Sequence, residues 1–595
     1  MTSRATPNQQ RCIDEPGHLV VVAGPGAGKT STVISKVAEL AKSPANRIVC
    51  VSFTRDSARE MKTRAARKLS GDESRRVTFG TFHSLTIRHL DQLGQSPKLI
   101  EPAQQRHLLN KCLQHMTAAD RSKAMLQFEA AKCSLQPVPE IEDLAWFAQY
   151  QAMLQRHGKV DLYDIMRGAT LDMANGRLPT IPCTHLIVDE VQDVDAIQHL
   201  WFCTHTDAGA ITTIVGDDDQ TIYEWRRAIG YPGMRRFAEH YQATVVALGE
   251  NFRSLGNIVR AADSVISNNA PNRLRKDFVP RRGSGGRITI DRAGSLKEAA
   301  AQIAERIRDH ATRIEDQIPG QAQYEVKTGS WAVLTRSNRA INHMQAALSS
   351  QGVKCHRNSG SIFELPPAVL MQNMLITLDT AEPLGFELGL MHLGLQPKEA
   401  GDVIAELGGS LGLVFEQEPS FQKFSQIREQ LEQYAKRWRV WRRFLKNGEL
   451  IDAVSRIANF IVDNSRSGEE DMTAAICEAV MDRVTRQRSG TLSERVRVAF
   501  TRTERREPDR AVELHTLHSA KGLEWTNVVL LGMDDESIPG DVQRLGQGAG
   551  AVANLESERR LFYVGMTRAA DWLIISHTAG RGSRFISEIP SDLVS

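Results

Sequence analysis

Leu19-Val20-Val21-Val22-Ala23-Gly24-Pro25-Gly26-Ala27-Gly28-Lys29-Thr30 is the stretch on which the fold turns. Five apolar residues with no polar alternation describe a strand covered on both faces, as in a parallel sheet. They run into a glycine-rich turn, and Ser31 to Ala41 follows with helical period. Glycines let successive backbone N–H groups curl around phosphate oxygens at the positive end of a helix. In such a turn Lys29 reaches the β- and γ-phosphates of a nucleotide, and the Thr30 hydroxyl holds Mg²⁺. Ala23 stands where the stricter pattern has glycine, so the same string is open to a plain strand-to-helix turn. The strand before it and the helix after it favour the phosphate reading.

Working outward, apolar runs of the same kind recur at Ile48–Phe53, Val77–Phe82, Leu186–Val188, Ile211–Val215 and Val245–Leu248. With helical stretches between them they predict a mostly parallel sheet with crossover helices. From Leu85 to about Gly176, pieces such as Gln104–Met116 and Ile141–Arg156 have helical period and no convincing strand interrupts them. After the Gly/Arg connector Pro280–Arg287 a second set of strands is expected at Ile288–Asp291, Trp331–Thr335, Val512–Leu517, Val528–Met533 and Leu573–Ser576. The fold class is therefore α/β: two parallel-sheet domains, each interrupted by a mainly helical insertion. The boundaries expected are 1–84 and 177–255 for the first sheet domain, with 85–176 as its insertion. The second sheet domain is expected at 256–378 and 505–595, with 379–504 as its insertion. Asp541–Ala551 reads as a Gly/Gln-rich loop.

Composition narrows the class. The 595 residues suggest about four folding units, which these boundaries supply. Apolar residues at 41% and a net charge of +3 exclude a disordered chain and a histone-like polycation. No apolar run approaches a membrane span, and the first residues, MTSRATPNQQRC, lack a signal-peptide core. The eight cysteines contain no C-x-x-C pair and read as reduced cytosolic thiols rather than a zinc site. A cytoplasmic protein is expected.

Leu186-Ile187-Val188-Asp189-Glu190 is an apolar strand ending in two acids. Paired with the upstream loop, Asp189 is placed to hold Mg²⁺ and Glu190 to take a proton from attacking water. From Asp189-Glu190-Val191-Gln192-Asp193 and Val215-Gly216-Asp217-Asp218-Asp219-Gln220-Thr221-Ile222-Tyr223-Glu224-Trp225-Arg226, the chain resembles the UvrD/Rep/PcrA family of superfamily-1 DNA helicases. Further strings occur in that family's order: Gln9 in Thr6-Pro7-Asn8-Gln9-Gln10, Val51-Ser52-Phe53-Thr54, Gly80-Thr81-Phe82-His83 and Glu250-Asn251-Phe252-Arg253-Ser254. Later come Thr516-Leu517-His518-Ser519-Ala520-Lys521-Gly522-Leu523-Glu524 and the run from Glu558 to Ala569.

The resemblance implies two RecA-like motor domains with ATP and Mg²⁺ bound between them. It implies that Ala23 to Ser31 cradle the nucleotide, with Gln9 reading adenine and Phe252 stacking on the base. Ser31 departs from the arginine often found there. Gln220 would sense the γ-phosphate and align water, while Arg253 and Arg568 would clamp that phosphate from opposite domains. Glu524 would sit near the ribose. Loss of Arg568 is expected to abolish turnover without unfolding the protein.

Single strands are held by stacking bases on aromatics along a cationic groove. Tyr223, Trp225 and Arg226 lie just beyond Gln220, so nucleotide state and DNA grip share one segment. By resemblance Phe53, Thr81, Phe82, His83 and His518 add strand contacts. As isolated residues Phe53 and Phe252 would more often be core, and Trp225 would as often be a core or interface tryptophan as a stacking one. Tyr434–Lys446 carries six cations and no acid, with Trp438, Trp441 and Leu445 on one helical face. It reads as an amphipathic helix with a solvated basic face, or as a contact to duplex phosphates at a single/double-strand junction.

The expectation is a 3′→5′ DNA helicase and single-strand translocase, the polarity implied only by the resemblance of the Gly216–Tyr223 and Tyr563–Ala569 strings to the 3′→5′ branch of the family. Two rivals remain at this level. One is the motor subunit of a nuclease or phage-defence complex, whose nuclease would be a separate partner because few residues follow Ala569. The other is a translocase that strips proteins from single strands with little unwinding. A repair factor is the other kind of protein partner expected.

Overall fold

The computed structural model describes residues 5–222, 228–314, 323–357, 365–465, 470–485, 487, 489–501, 510–541 and 549–595. The chain divides into two compact units: Met1–His89 with Met166–Asn358 and Arg506–Ser595, and Leu90–Ile165 with Ser359–Arg505.

The first unit holds two six-stranded sheets, both wholly parallel. The strands of the first are β1 (Leu19–Ala23), β2 (Ile48–Ser52), β3 (Val77–Thr81), β4 (His185–Val188), β5 (Ile211–Gly216) and β6 (Thr244–Leu248). Their order is β3-β2-β4-β5-β1-β6. All five residues of β1 are buried, as an unbroken apolar run requires of a strand with helices on both faces. Register sets the site: Val22 lies beside Gly216 and Val188 beside Ile214. The carboxyl ends of β1, β4 and β5 therefore emerge side by side, where ligands of open α/β sheets bind.

A short pair, β7 (Glu250–Asn251) with β8 (Val279–Pro280), leads to the second sheet. Its strands are β9 (Arg287–Ala293), β12 (Trp331–Thr335), β13 (Cys355–Arg357), β14 (Val512–Thr516), β15 (Trp525–Leu531) and β16 (Ala569–Thr578). A small antiparallel pair, β10 (Thr312–Ile314) and β11 (Gln323–Glu325), flanks it, with Tyr324 bridging to Val353 just ahead of β13. The sheet order is β13-β14-β12-β15-β16-β9.

The second unit is helical. Among the described residues one core joins Phe128, Trp146 and Tyr150 from the first helical stretch to Phe386, Tyr434 and Trp438 from the second. The two stretches expected to be separate insertions thus share one interior. The helix Pro366–Thr380, placed by sequence at the end of the second sheet domain, belongs here. It is apolar nearly all round, and such a helix has to be enclosed on every side. From Met166 onward, conversely, the chain belongs to the sheet unit.

The basic helix runs Arg428–Lys446 with Trp438 and Trp441 buried. Two of its cations are held internally. Arg439 donates to the Gln417 carbonyl and pairs with Glu418, and Arg442 donates to the Leu378 and Asp379 carbonyls at the end of Pro366–Thr380. For Arg442 that is a charge on a helix C-terminus, while Lys436, Arg437, Arg443 and Lys446 are exposed and form the solvated basic face expected. The expected loop 541–551 is helical from Ala549, while 542–548 lie outside the described residues. Among the described residues no helix is long and apolar enough to cross a membrane.

Candidate nucleotide site between the two sheets

The helix Lys29–Ala41 starts from Gly28 with no side-chain cap, so the amides of its first turn are left for an anion. Gly26 has φ +67°, and a Cβ there would stand 2.7 Å from Arg253 Cβ. Only glycine fits, and its absent side chain is what lets Arg253 close on the loop. The loop in turn fixes the segment after β6. Gly26 O accepts from Phe252 N at 2.9 Å, and Pro25 O accepts from Asn251 Nδ2 at 2.8 Å. Asn251 Oδ1 takes the amides of Arg253 and Ser254. Phe252 is left 40% exposed beside the loop, a large apolar ring in water.

Gln9 caps the helix Pro7–Asp14 by accepting from Thr6 N at 3.0 Å, and its Nε2 donates to Ala27 O at 3.2 Å. The amide is thus held at both ends against the phosphate loop. Ser31 is exposed on the first turn of the following helix, and Thr30 is half-buried there.

Lys29 Nζ stands 3.4 Å from Glu190 Oε1. Burial works against both charges, but each sustains the other. Lys29 is raised by Glu190, Asp217 and Asp189, and Glu190 is pulled down to about 2 by Lys29 and Lys521. Glu190 occupies the left-handed region at φ +54°, strain of the kind concentrated at functional sites. Asp189 is 6% exposed and its Oδ1 has no hydrogen-bond partner. Burial and the neighbouring Glu190 charge push it up to about 7. A buried carboxylate oxygen with no donor fits a divalent cation's demand for oxygen ligands.

From Glu190 a continuous network runs to the second sheet. Gln192 Nε2 donates to Glu190 Oε2 at 2.5 Å, and Gln192 Oε1 accepts from Asp217 N at 3.0 Å. Asp217 Oδ2 accepts from Gln220 Nε2 at 2.6 Å. Gln220 Oε1 accepts from Arg568 Nη2 at 2.9 Å. Arg568 is 1% exposed and also donates to the carbonyls of Val564 and Leu523. Burial, and then Arg253, lower its pKa to about 9, which leaves it a cation at neutral pH. Arg253 donates to Glu524 Oε2 at 2.6 Å and to Thr567 O at 3.0 Å. Lys521 pairs with Asp193 and donates to Gln220 O at 2.5 Å. Asp193 is pushed up to about 6 by burial, against the pull of Lys521.

The structure therefore brings together Lys29, Asp189, Glu190, Gln220, Arg253, Glu524 and Arg568. The expected DNA track is gathered less fully. Phe82 is 1% exposed and packs edge-on against Trp201, so its ring offers no face to a base. It is a core residue, placed inward by the first turn of its helix. Thr81 is buried with its hydroxyl bonded to Ser84. Phe53, His83 and His518 are half-buried, and burial with Arg336 and Lys521 lowers His518 to about 4. Tyr223, Trp225 and Arg226 lie outside the described residues.

Sequence reasoning missed two cations altogether. Lys276 and Arg273 reach the three aspartates before Gln220 from a segment beyond the helix Gly256–Ser267. No periodicity or motif marked them, since their partners lie more than fifty residues away in sequence.

A phosphate loop on one sheet, faced by an arginine from another, defines a nucleoside-triphosphatase whose site is completed by two lobes. The chain belongs to the UvrD/Rep helicase family. Residues 5–241 match the UvrD/REP helicase N-terminal domain, and residues 246–364 and 417–580 match the UvrD-like helicase C-terminal domain. Among its relatives, DNA helicase II of Escherichia coli is 27% identical over 98% of this chain and 87% of its own. The ATP-dependent DNA helicase Rep of the same organism is 25% identical over 99% and 94%. The ATP-dependent DNA helicase PcrA of Bacillus subtilis is 25% identical over 100% and 87%.

Proposed function

We propose that the chain is an ATP-dependent 3′→5′ DNA helicase and single-strand translocase acting in the cytoplasm. The observation that carries this is the Gln220–Arg568 contact, which ties a γ-phosphate sensor on the first sheet to a buried cation on the second.

ATP is bound with its phosphates on the amides of Gly24 to Thr30 and its base between Phe252 and the Gln9 amide. Lys29 leaves Glu190 for the phosphates, which frees Glu190 to accept a proton from the attacking water. Gln220 orients that water. Arg568 and Arg253 meet the charge that develops on the γ-phosphate, an arrangement worth about 10³–10⁵ in rate. Glu524 holds Arg253 in place on the ribose side. Thr30 and Asp189 are the residues that would hold Mg²⁺, which when bound neutralises charge on the β- and γ-oxygens.

Because groups from both lobes grip one phosphate, its loss releases one lobe from the other. That motion, passed to Tyr223, Trp225 and Arg226 next to Gln220, would draw a single strand along. Parting a duplex costs on average about 1.4 kcal/mol per base-pair step, so unwinding needs this coupling and not passive capture alone. The test is strand separation on duplexes carrying a 3′ or a 5′ tail, with wild type and Glu190→Gln. Unwinding that needs ATP and a 3′ tail, and that the variant lacks, is expected. Equal use of 5′ tails, or ATP-independent separation, would overturn the reading.

A further inference from the structure

Asp217, Asp218 and Asp219 offer three buried carboxylates close enough to surround one cation. The cation at their centre is the Lys276 ammonium. Its Nζ donates to Asp217 Oδ1 and Asp218 Oδ1 at 2.7 Å each and to Asp219 Oδ2 at 2.6 Å, so all three of its protons are used. Arg273 closes the far side with a two-pronged bond to Asp219 at 2.9 and 2.7 Å, and Leu274 N donates to Asp218 Oδ2 at 2.6 Å. Five side chains thus sit in an interior with a formal charge of −1.

The cluster is not an isolated ornament of the core. Asp217 uses one carboxylate oxygen for Lys276 and the other for Gln220 Nε2, while its backbone N–H donates to Gln192 and so leads on to Glu190. Its Oδ1 also takes the Asp219 amide at 3.3 Å, which closes the turn that carries Gln220. A carboxylate held by an ammonium on one side cannot rotate, and the Gln220 carboxamide on the other side is then fixed with its oxygen toward Arg568. Without the ammonium, Asp217 can turn, and Gln220 can flip its amide and present a donor to a guanidinium.

We propose that Lys276 is a positioning residue for ATP hydrolysis, acting through Asp217 to hold the Gln220 carboxamide in the orientation that faces Arg568 and the γ-phosphate. It touches neither nucleotide nor water itself. Its segment follows the helix Gly256–Ser267, whose buried side packs with the second sheet's core, so the sensor loop of the first lobe is steadied from the second. Arg273 serves the same cluster but holds only Asp219, which makes no bond to Gln220.

The inference rests on the hydrolytic roles given above to Gln220 and Glu190, and the variants separate the two. Lys276→Met alone leaves three carboxylates against one arginine and is expected to melt early. Adding Asp218→Asn returns the formal charge to −1 without restoring the hold on Asp217. In the double variant K276M/D218N a melting temperature close to wild type is expected. Its DNA-stimulated kcat should be about tenfold lower, with the KM for ATP within threefold. Asp217→Asn, which places a donor against Gln220 or Lys276, is expected to give the same split and tests the link should the double variant not fold. Arg273→Gln is expected to lose melting temperature yet keep kcat within threefold. Wild-type kcat in K276M/D218N or in D217N overturns the proposal, as does an Arg273→Gln whose kcat falls as far as theirs. Full hydrolysis by Glu190→Gln would instead defeat the reading of the site itself.

Discussion

Replacing Glu190 by Gln changes one oxygen to an amide and should split binding from turnover in opposite directions. Before nucleotide arrives, Lys29 is held by Glu190 at 3.4 Å. At an effective dielectric of about 20 that pair is attracted by about 5 kcal/mol, gross. ATP has to draw Lys29 out of it and then bear the Glu190 charge near its own phosphates. Most of the gross figure is returned by the new Lys29–phosphate contact and by solvent, and if about a fifth remains, about 1 kcal/mol opposes binding. Removing the charge then tightens ATP about fivefold. The same change deletes the proton acceptor, a loss of about 10²–10⁴ in rate. The substituted side chain keeps the contour and a polar atom for Gln192, so the fold should be undisturbed. The assay pairs equilibrium titration of ATP with steady-state hydrolysis on saturating single-stranded DNA. Weaker ATP binding would show that Glu190 does not restrain Lys29, and kcat within tenfold of wild type would show that it does not serve as base.

Three other outcomes follow from the geometry. Arg568→Ala should lose at least about 10³ in kcat, but not on an intact background. It orphans the buried Gln220 Oε1, at about 1–3 kcal/mol, and takes a donor from Leu523 O and from Val564 O, which keeps the Thr567 hydroxyl, so a lower melting temperature in calorimetry must accompany the lost rate. An unchanged melting curve would contradict the buried placement. Phe252→Ala should raise the KM for ATP about tenfold through loss of base stacking, worth about 1–3 kcal/mol, with kcat little changed; an unaltered KM would remove Phe252 from the base. Because Asp189 is raised to about 7 by burial and by Glu190, it holds a proton below that pH, and the ligand-free fold loses that contribution as pH rises toward 7. Mg²⁺ has to displace the proton, so its apparent affinity in the hydrolysis assay should rise between about pH 6 and 8, by up to about tenfold per unit below the pKa. Asp189→Asn should flatten this dependence, and a flat wild-type profile would refute it.

How far the sequence alone carried depends on whether a signal was local. β1 and β12 fall at the residues expected from their apolar runs, because a strand buried on both faces writes its own hydrophobicity. The phosphate loop and the Asp189-Glu190 pair were legible for the same reason: loop, lysine and acids lie in contiguous strings. β13 escaped, since Cys355–Arg357 is a three-residue edge strand, half-exposed, with nothing to distinguish it from loop. Lys276 and Arg273 escaped because their meaning lies wholly in partners far away along the chain. Phe82 was misread in the other direction. An aromatic in a familiar string invited a ligand, whereas the helical turn beginning there points it inward to Trp201. Arg439 and Arg442 teach the same lesson for charge, being turned onto carbonyls that only the tertiary fold supplies.

The strand order of the second sheet has a bearing on how this chain is made. β9, β12 and β13 all precede residue 358, yet within the sheet none of the three neighbours another. β9 waits for β16, β12 for β14 and β15, and β13 for β14. The first sheet can be complete on a ribosome once β6 has emerged, while the second has no strand pair to form until Val512 and its successors are synthesised. About 220 residues of delay separate β9 from the earliest strand of its sheet that pairs with anything. A nascent chain in that interval carries a finished nucleotide-binding half beside unpaired apolar strands, the state in which chaperones are most needed. Assembly of the second lobe is thus a late, all-at-once event, and the triphosphatase cannot fire before its last strand has been read.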